Sequence, residues 1–141
     1  MTHDIPDELK PAPGEELVLQ AHASGVQVYA CVPGENGKRS WVLKAPEADL
    51  LDELGTVVGK HYGGPTWKHC DGSEVVGKPV ARVEATDPAA IPWLLVTITA
   101  RLGDGALSRV TSIQRIRTTG GKAPALPCDQ NAEVRVPYTA V

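Results

Sequence analysis

Period-two alternation runs through this chain. Residues 26–31 place Val26, Val28 and Ala30 on one face and Gln27, Tyr29 and Cys31 on the other, a half-buried strand with an unusually polar second side. The strongest run, 91–102, sets Leu94, Val96 and Ile98 against Leu95, Thr97 and Thr99. A third, 107–118, carries Arg109, Thr111, Ile113, Arg115 and Arg117 on one face and Val110, Gln114 and Ile116 on the other. Shorter strands are expected at 17–21, 40–44 and 134–136, and one long or two short strands over 73–85 around Gly77 and Pro79.

Turn chemistry divides these runs. Asn36 with Gly37 and Gly103 with Gly105 mark hairpins. Residues 46–55 read two ways. Pro46, the Leu50, Leu51 and Leu54 spacing and Gly55 fit a two-turn helix; a hairpin between 49–51 and 56–58 is preferred, because the residues that follow are β-rich. Residues 61–67 are expected to form a loop, since Gly63, Gly64 and Pro65 do not sit inside a ladder. Residues 1–16, with Pro6, Pro11 and Pro13, read as an extended lead-in. The expectation is one all-β domain over 17–141, an antiparallel β-barrel or β-sandwich of about eight short strands.

Composition sharpens this picture. Fourteen Gly and twelve Pro among 141 residues punctuate the chain too often for long helices. There is no Phe, so three Trp and three Tyr are the only aromatics and are candidates for particular jobs. A net charge of -3 gives no reason to expect nucleic acid or an anionic membrane as partner. The longest apolar run, 91–99, is broken by Pro92 and Thr97 and is too short for a membrane span. The charge is divided unevenly, -6 over residues 1–55 and +3 over 56–141. The arginines of the second part are either an anion-binding patch or solvated strand faces, the latter preferred. Cys31, Cys70 and Cys128 cannot all pair within one chain, and their spacing matches no metal or redox motif.

Candidate chemistry concentrates at 61–73, HYGGPTWKHCDGS. A functional reading makes His61 a general acid or base, Asp71 its orienting or partner carboxylate, and Trp67 a wall that excludes water; the preferred reading is turn chemistry, a core Trp and solvated histidines. A metal site from His61, His69 and Cys70 is not expected, because neighbouring extended side chains point to opposite faces and no fourth ligand is evident. Cys70 beside His69 is more simply a free thiol than a nucleophile. Gln27 with Tyr29, and Gln114 with Arg115, place polar groups on strands that a plain core would keep apolar. Inside a barrel such residues line a small-molecule pocket; on a sandwich they face water.

The sequence resembles the domain of unknown function 3455 family, whose members are mostly secreted proteins of bacteria and fungi. The resemblance is carried by GVQVYAC at 25–31, Trp41 with APEADL at 45–50, GKHYGGPTW at 59–67, DGS at 71–73, AIPWLL at 90–95, LSRVT at 107–111, IQR at 113–115, TGG at 119–121, CD at 128–129 and VPYTA at 136–140. It implies a Cys31–Cys128 disulfide in an oxidising compartment, with Cys70 outside the shared pattern. Members usually carry a leader and an aromatic-rich tail after the VPYTA motif, and neither is expected from these residues. The expected location is secreted or periplasmic, with cytoplasmic as the alternative. The resemblance lends no established activity.

The leading expectation is a small-molecule-binding domain with a pocket lined by Gln27, Tyr29, His61, Trp67, Trp93, Gln114 and Arg115. An acid/base enzyme (isomerase, cyclase or small hydrolase) working through His61 and Asp71 is the first alternative, and a secreted structural or interaction module the second. No cofactor or metal is implied, and nothing in the residues sets the oligomeric state.

Overall fold

The computed structural model describes residues 5–34 and 36–141, so the first four residues of the lead-in lie outside it. Nine strands make one antiparallel sheet among the described residues: β1 (His22–Pro33), β2 (Arg39–Leu51), β3 (Val57–Tyr62), β4 (Thr66–His69), β5 (Glu74–Val83), β6 (Trp93–Leu102), β7 (Ser112–Arg115), β8 (Thr119–Gly120) and β9 (Glu133–Ala140). Their order is β7-β6-β5-β4-β3-β2-β1-β9-β8, a meander to which β9 and β8 add on the far side of β1. The all-β antiparallel expectation holds, with several strands longer than their alternation suggested.

The sheet is bent round on itself. Its terminal strands, β7 and β8, are consecutive in the chain and separated by residues 116–118 alone, a tether that spans at most about 14 Å. Arg117, at a φ of 50°, turns the chain between them. Among the described residues no ladder closes the sheet into a barrel, but the two sides are stitched. Ile116 and Val141 exchange reciprocal backbone hydrogen bonds of 2.8 Å. The segment before β6 reaches the β8 side as well: Ile91 N–H donates to Gly120 O at 2.9 Å, and Thr118 Oγ1 donates to Ile91 O at 2.6 Å.

Local sequence explains where the expectations shift. The hairpin reading of 46–55 is the observed one: β2 runs through Pro46, paired with Gln27, to Leu51, and β3 starts at Val57. Gly77 and Pro79 do not split β5; register shifts at Val76/Gly77 and Pro79/Ala81 absorb them. The expected loop at 61–67 is a tight hairpin, with only 63–65 as turn and His61 paired with Trp67. The expected strand at 107–118 shrinks to β7, because residues 105–110 fold into turns that carry Leu107 and Val110 inward.

Residues 17–21 form no strand. The segment ahead of them has one turn of 3-10 helix at Asp7–Leu9, and Ile5 and Leu9 are buried with Ile116 beneath it, against Trp93 and Leu95 on the outer face of the sheet. Gln114 Nε2 donates to Leu9 O at 2.8 Å, and the Glu15 carboxylate accepts from the hydroxyls of Thr111 and Ser112. These contacts cover the exposed side of β7, which an edge strand needs.

The inner face holds two further clusters. Ala48, Ile91, Tyr138 and Ala140 pack on the β1, β2 and β9 side, and Val75, Leu107 and Val110 pack with Trp67, Ile98 and Ile113 on the other. Few large side chains are wholly buried, Leu9, Val75 and Val96 being the apolar ones, so covalent and polar ties carry more of the fold than in a Phe-rich core. Cys31 and Cys128 form a disulfide across 97 residues of sequence and pin the 122–132 segment to the end of β1. The chain-entropy model gives such a loop about 4–5 kcal/mol, and measured values run about 2–4 kcal/mol. Replacing both cysteines by serine is expected to lower the urea unfolding free energy by about 2–4 kcal/mol; an unchanged midpoint would contradict this role.

Candidate functional site

Because the side-chain period of a strand is two, the face of β1 that carries Ala23, Gly25, Gln27 and Tyr29 turns inward together. Gly25 lies opposite Ala48, which occupies the space a side chain at 25 would need. The inward face continues through Ala48, His61 and Trp67, which lie side by side in the ladders of β2, β3 and β4. Leu94 and Val96 of β6, Arg115 of β7 and Tyr138 of β9 complete it.

These walls do not meet. They enclose a cavity of about 1400 Å³ that touches Gln27, His61, Trp67, Val96, Arg115 and Tyr138. Residues 10–21 rim its mouth, so the segment that is not a strand serves as one side of the entrance. A second cavity of about 480 Å³ opens near Tyr29, Arg82 and Pro92. Gln27, Leu43, Pro79, Leu94 and Arg115 are common to both.

Each polar group on this wall has a distinct state. His61 is buried and stacks on Trp67 with ring centroids 4.5 Å apart and 14° between planes. Its Nδ1 lies 2.9 Å from Thr66 O; a carbonyl only accepts, so Nδ1 carries the proton and Nε2 keeps a lone pair. Burial pushes the His61 pKa down to about 4, opposed by the Thr66 bond and assisted by the Arg115 charge, so the ring is neutral at pH 7. Arg115 donates through Nε (3.1 Å) and Nη2 (2.7 Å) to Pro92 O. Its pKa is lowered to about 10 by burial, with Tyr138 and Tyr29 opposing the shift and Arg82 adding to it. Tyr29 Oη donates to Gly121 O at 2.5 Å, and burial raises the pKa of both Tyr29 and Tyr138. Gly121, at a φ of 92°, backs directly onto Tyr138, Ile91 and Gln27, where a side chain would collide. Gln27 is 3% exposed and its Oε1 has no hydrogen-bond partner.

A scan against protein-family models matches residues 11–141 to the family described as protein of unknown function, DUF3455. The chain belongs to that family. No curated protein and no solved structure matches it. For this DUF3455 domain the site must therefore be read from its own geometry.

The residues singled out in the sequence fall into three places. Gln27, Tyr29, His61, Trp67 and Arg115 line one or both of the two cavities. Gln114 touches the large cavity at its rim and holds the amino-terminal segment, and Trp93 packs beneath that segment on the outer face, away from Leu94. Asp71 sits in the β4–β5 turn, beyond the end of β4 remote from His61. Its carboxylate accepts from Ser73 N–H (2.9 Å), Ser73 Oγ (2.7 Å) and Ala106 N–H (2.8 Å), with His69 at 3.3 Å. Those donors hold its pKa far below the usual carboxylate range, Ser73 first. Asp71 latches the 105–107 turn to the buried Ser73, whose Oγ in turn accepts from Leu107 N–H. Cys70 is free and exposed, and among the described residues no group of His, Cys, Asp and Glu is arranged to hold a metal ion.

Tyr138 and the 10–21 rim are the site elements that sequence reading missed. The alternation of β9 through Val136, Tyr138 and Ala140 is the signal that places Tyr138 inward; the rim has no periodicity to read.

The His61 shift fixes a pH dependence. The folded-state pKa lies below the ordinary value of 6.5, so the unfolded chain binds more protons between them and stability falls as pH drops from about 6.5 to about 4. The loss reaches about 3 kcal/mol at full development. Urea unfolding at pH 7 and pH 4.5 is expected to show most of that loss in the wild type and much less in His61→Gln; equal pH dependence in the two proteins would contradict a buried neutral His61.

Proposed function

We propose that this DUF3455 domain binds a small, partly apolar molecule in the cavity inside its curled sheet. The observation that carries this reading is Gln27 Oε1, buried on the wall shared by both cavities and without a partner. An unsatisfied buried acceptor costs about 1–3 kcal/mol. In its present orientation Oε1 is turned away from the cavity; a half-turn of the amide presents it there, and a ligand hydrogen bond then offsets the cost. The rest of the wall suits the same role, with Trp67, Leu94 and Val96 as apolar surface and His61 Nε2, Tyr138 and Arg115 as a few polar points that orient a guest.

The acid/base reading has less support. His61 and Asp71 share no hydrogen bond: His61 is on β3 opposite Trp67, and Asp71 is in the turn beyond the other end of β4. A histidine with a pKa of about 4 is a weak general base at neutral pH. The disulfide supports an oxidising compartment, secreted or periplasmic.

Native mass spectrometry of protein purified under mild conditions is the test. Wild-type protein is expected to carry a non-covalent adduct that is released on denaturation. Gln27→Leu removes the polar atom while keeping the volume, and is expected to lose the adduct at least tenfold while its thermal midpoint stays level or rises. Wild-type protein with no adduct, and with tryptophan fluorescence that no small amphipathic molecule perturbs, would overturn the proposal in favour of a purely structural module.

A further inference from the structure

The wall common to the two cavities carries a cation, Arg115, as well as Gln27. Arg115 carries five N–H donors. Two are spent on Pro92 O, and among the described residues no carboxylate lies within ion-pair distance of its guanidinium. Its titratable neighbours are Tyr138, Tyr29, His61 and Arg82. His61 is neutral at pH 7 and Arg82 is positive, so none of them balances the Arg115 charge. Arg82, which lines the smaller cavity, is itself tied to Glu84 at 2.9 Å, and both side chains are exposed. A partly buried guanidinium with three idle donors and no counter-charge is a site for an anionic group, and the planar fork matches a carboxylate.

We propose that the wall common to the two cavities is the headgroup site of an amphipathic 2-hydroxy carboxylate, whose carboxylate sits on Arg115, whose hydroxyl donates to Gln27 Oε1 once the amide turns to the cavity, and whose apolar body lies along Trp67, Leu94 and Val96. This rests on the cavity-binding reading and adds to it the chemical class of the ligand. Gln27 and Arg115 are the polar residues that line both cavities, so a headgroup held between them leaves the large cavity for the tail. The Pro92 carbonyl fixes the guanidinium plane before the ligand arrives, which limits the ordering that binding must impose. Tyr29 does not compete for the headgroup, because its hydroxyl is committed to Gly121 O.

Isothermal titration of the full chain with 2-hydroxydecanoate, decanoate and 1-decanol separates the parts of the proposal. The expected order of affinity is 2-hydroxydecanoate, then decanoate, then 1-decanol, with at least a tenfold step between the carboxylates and the alcohol. Arg115→Met is expected to erase that step without weakening 1-decanol, and Gln27→Leu to erase the advantage of the hydroxyl. If Arg115→Met does not fold, the wild-type comparison still decides. Decanol binding as tightly as decanoate would overturn the anionic headgroup while leaving the cavity reading intact. Decanoate equal to 2-hydroxydecanoate would overturn the Gln27 contact. Failure of all three ligands to bind the folded protein would overturn the cavity reading itself.

Discussion

The reciprocal hydrogen bonds between Ile116 and Val141 hold together two sides of a sheet that would otherwise open. The nine strands of the described residues, in a single antiparallel order, leave two edges, and the backbone groups of an uncovered edge invite pairing with another chain. Here the two edges are consecutive in sequence. Residues 116–118 draw β7 towards β8, Ile116 pairs with the residue after β9, and the 89–92 segment pairs with 118–122. The amino-terminal segment covers β7 through Gln114 and Glu15. Closure by a short tether and a few stitches, in place of a full ladder, leaves the interior wider than side chains alone fill.

That interior is where the composition matters. With no Phe and few large side chains fully buried, the inner face cannot pack to the middle, and what remains is a cavity whose wall mixes aliphatic residues with Gln27, His61, Arg115 and Tyr138. Burial drives His61 to its neutral form and lowers the Arg115 pKa, while Asp71, held by Ser73 and Ala106 outside this wall, is kept ionised. The environments thus divide the candidate residues. His61 and Arg115 belong to the cavity, and Asp71 belongs to the turn that keeps Leu107 in the core.

Much of the fold was legible because its strands alternate. β1 and β6 follow their hydrophobic pattern, and the inward Gln27, Tyr29 and Arg115 were visible as polar residues out of place. Three things were not legible, each for a physical reason. Gly63, Gly64 and Pro65 announce a turn but not how tight it is, so His61 and Trp67 read as loop residues although they form a stacked cross-strand pair. Leu9 and Ile5 are isolated apolar residues among prolines and acids, and burial of isolated residues depends on what the rest of the chain brings over them. Trp93 and Leu94 are neighbours on β6, and alternation separates them but does not say which faces the cavity. The family that the motifs resemble is the one whose model matches residues 11–141, and the Cys31–Cys128 pairing that the resemblance implied is present.

The Ile116–Val141 pair is one of the stitches that hold the sheet curled, and native-state amide hydrogen exchange reads it directly. The amides of Ile116 and Val141 are expected to exchange with protection comparable to central amides of β1, because opening this seam requires the curled sheet to open. Rapid exchange of both, at the rate of exposed edge amides while β1 stays protected, would contradict it.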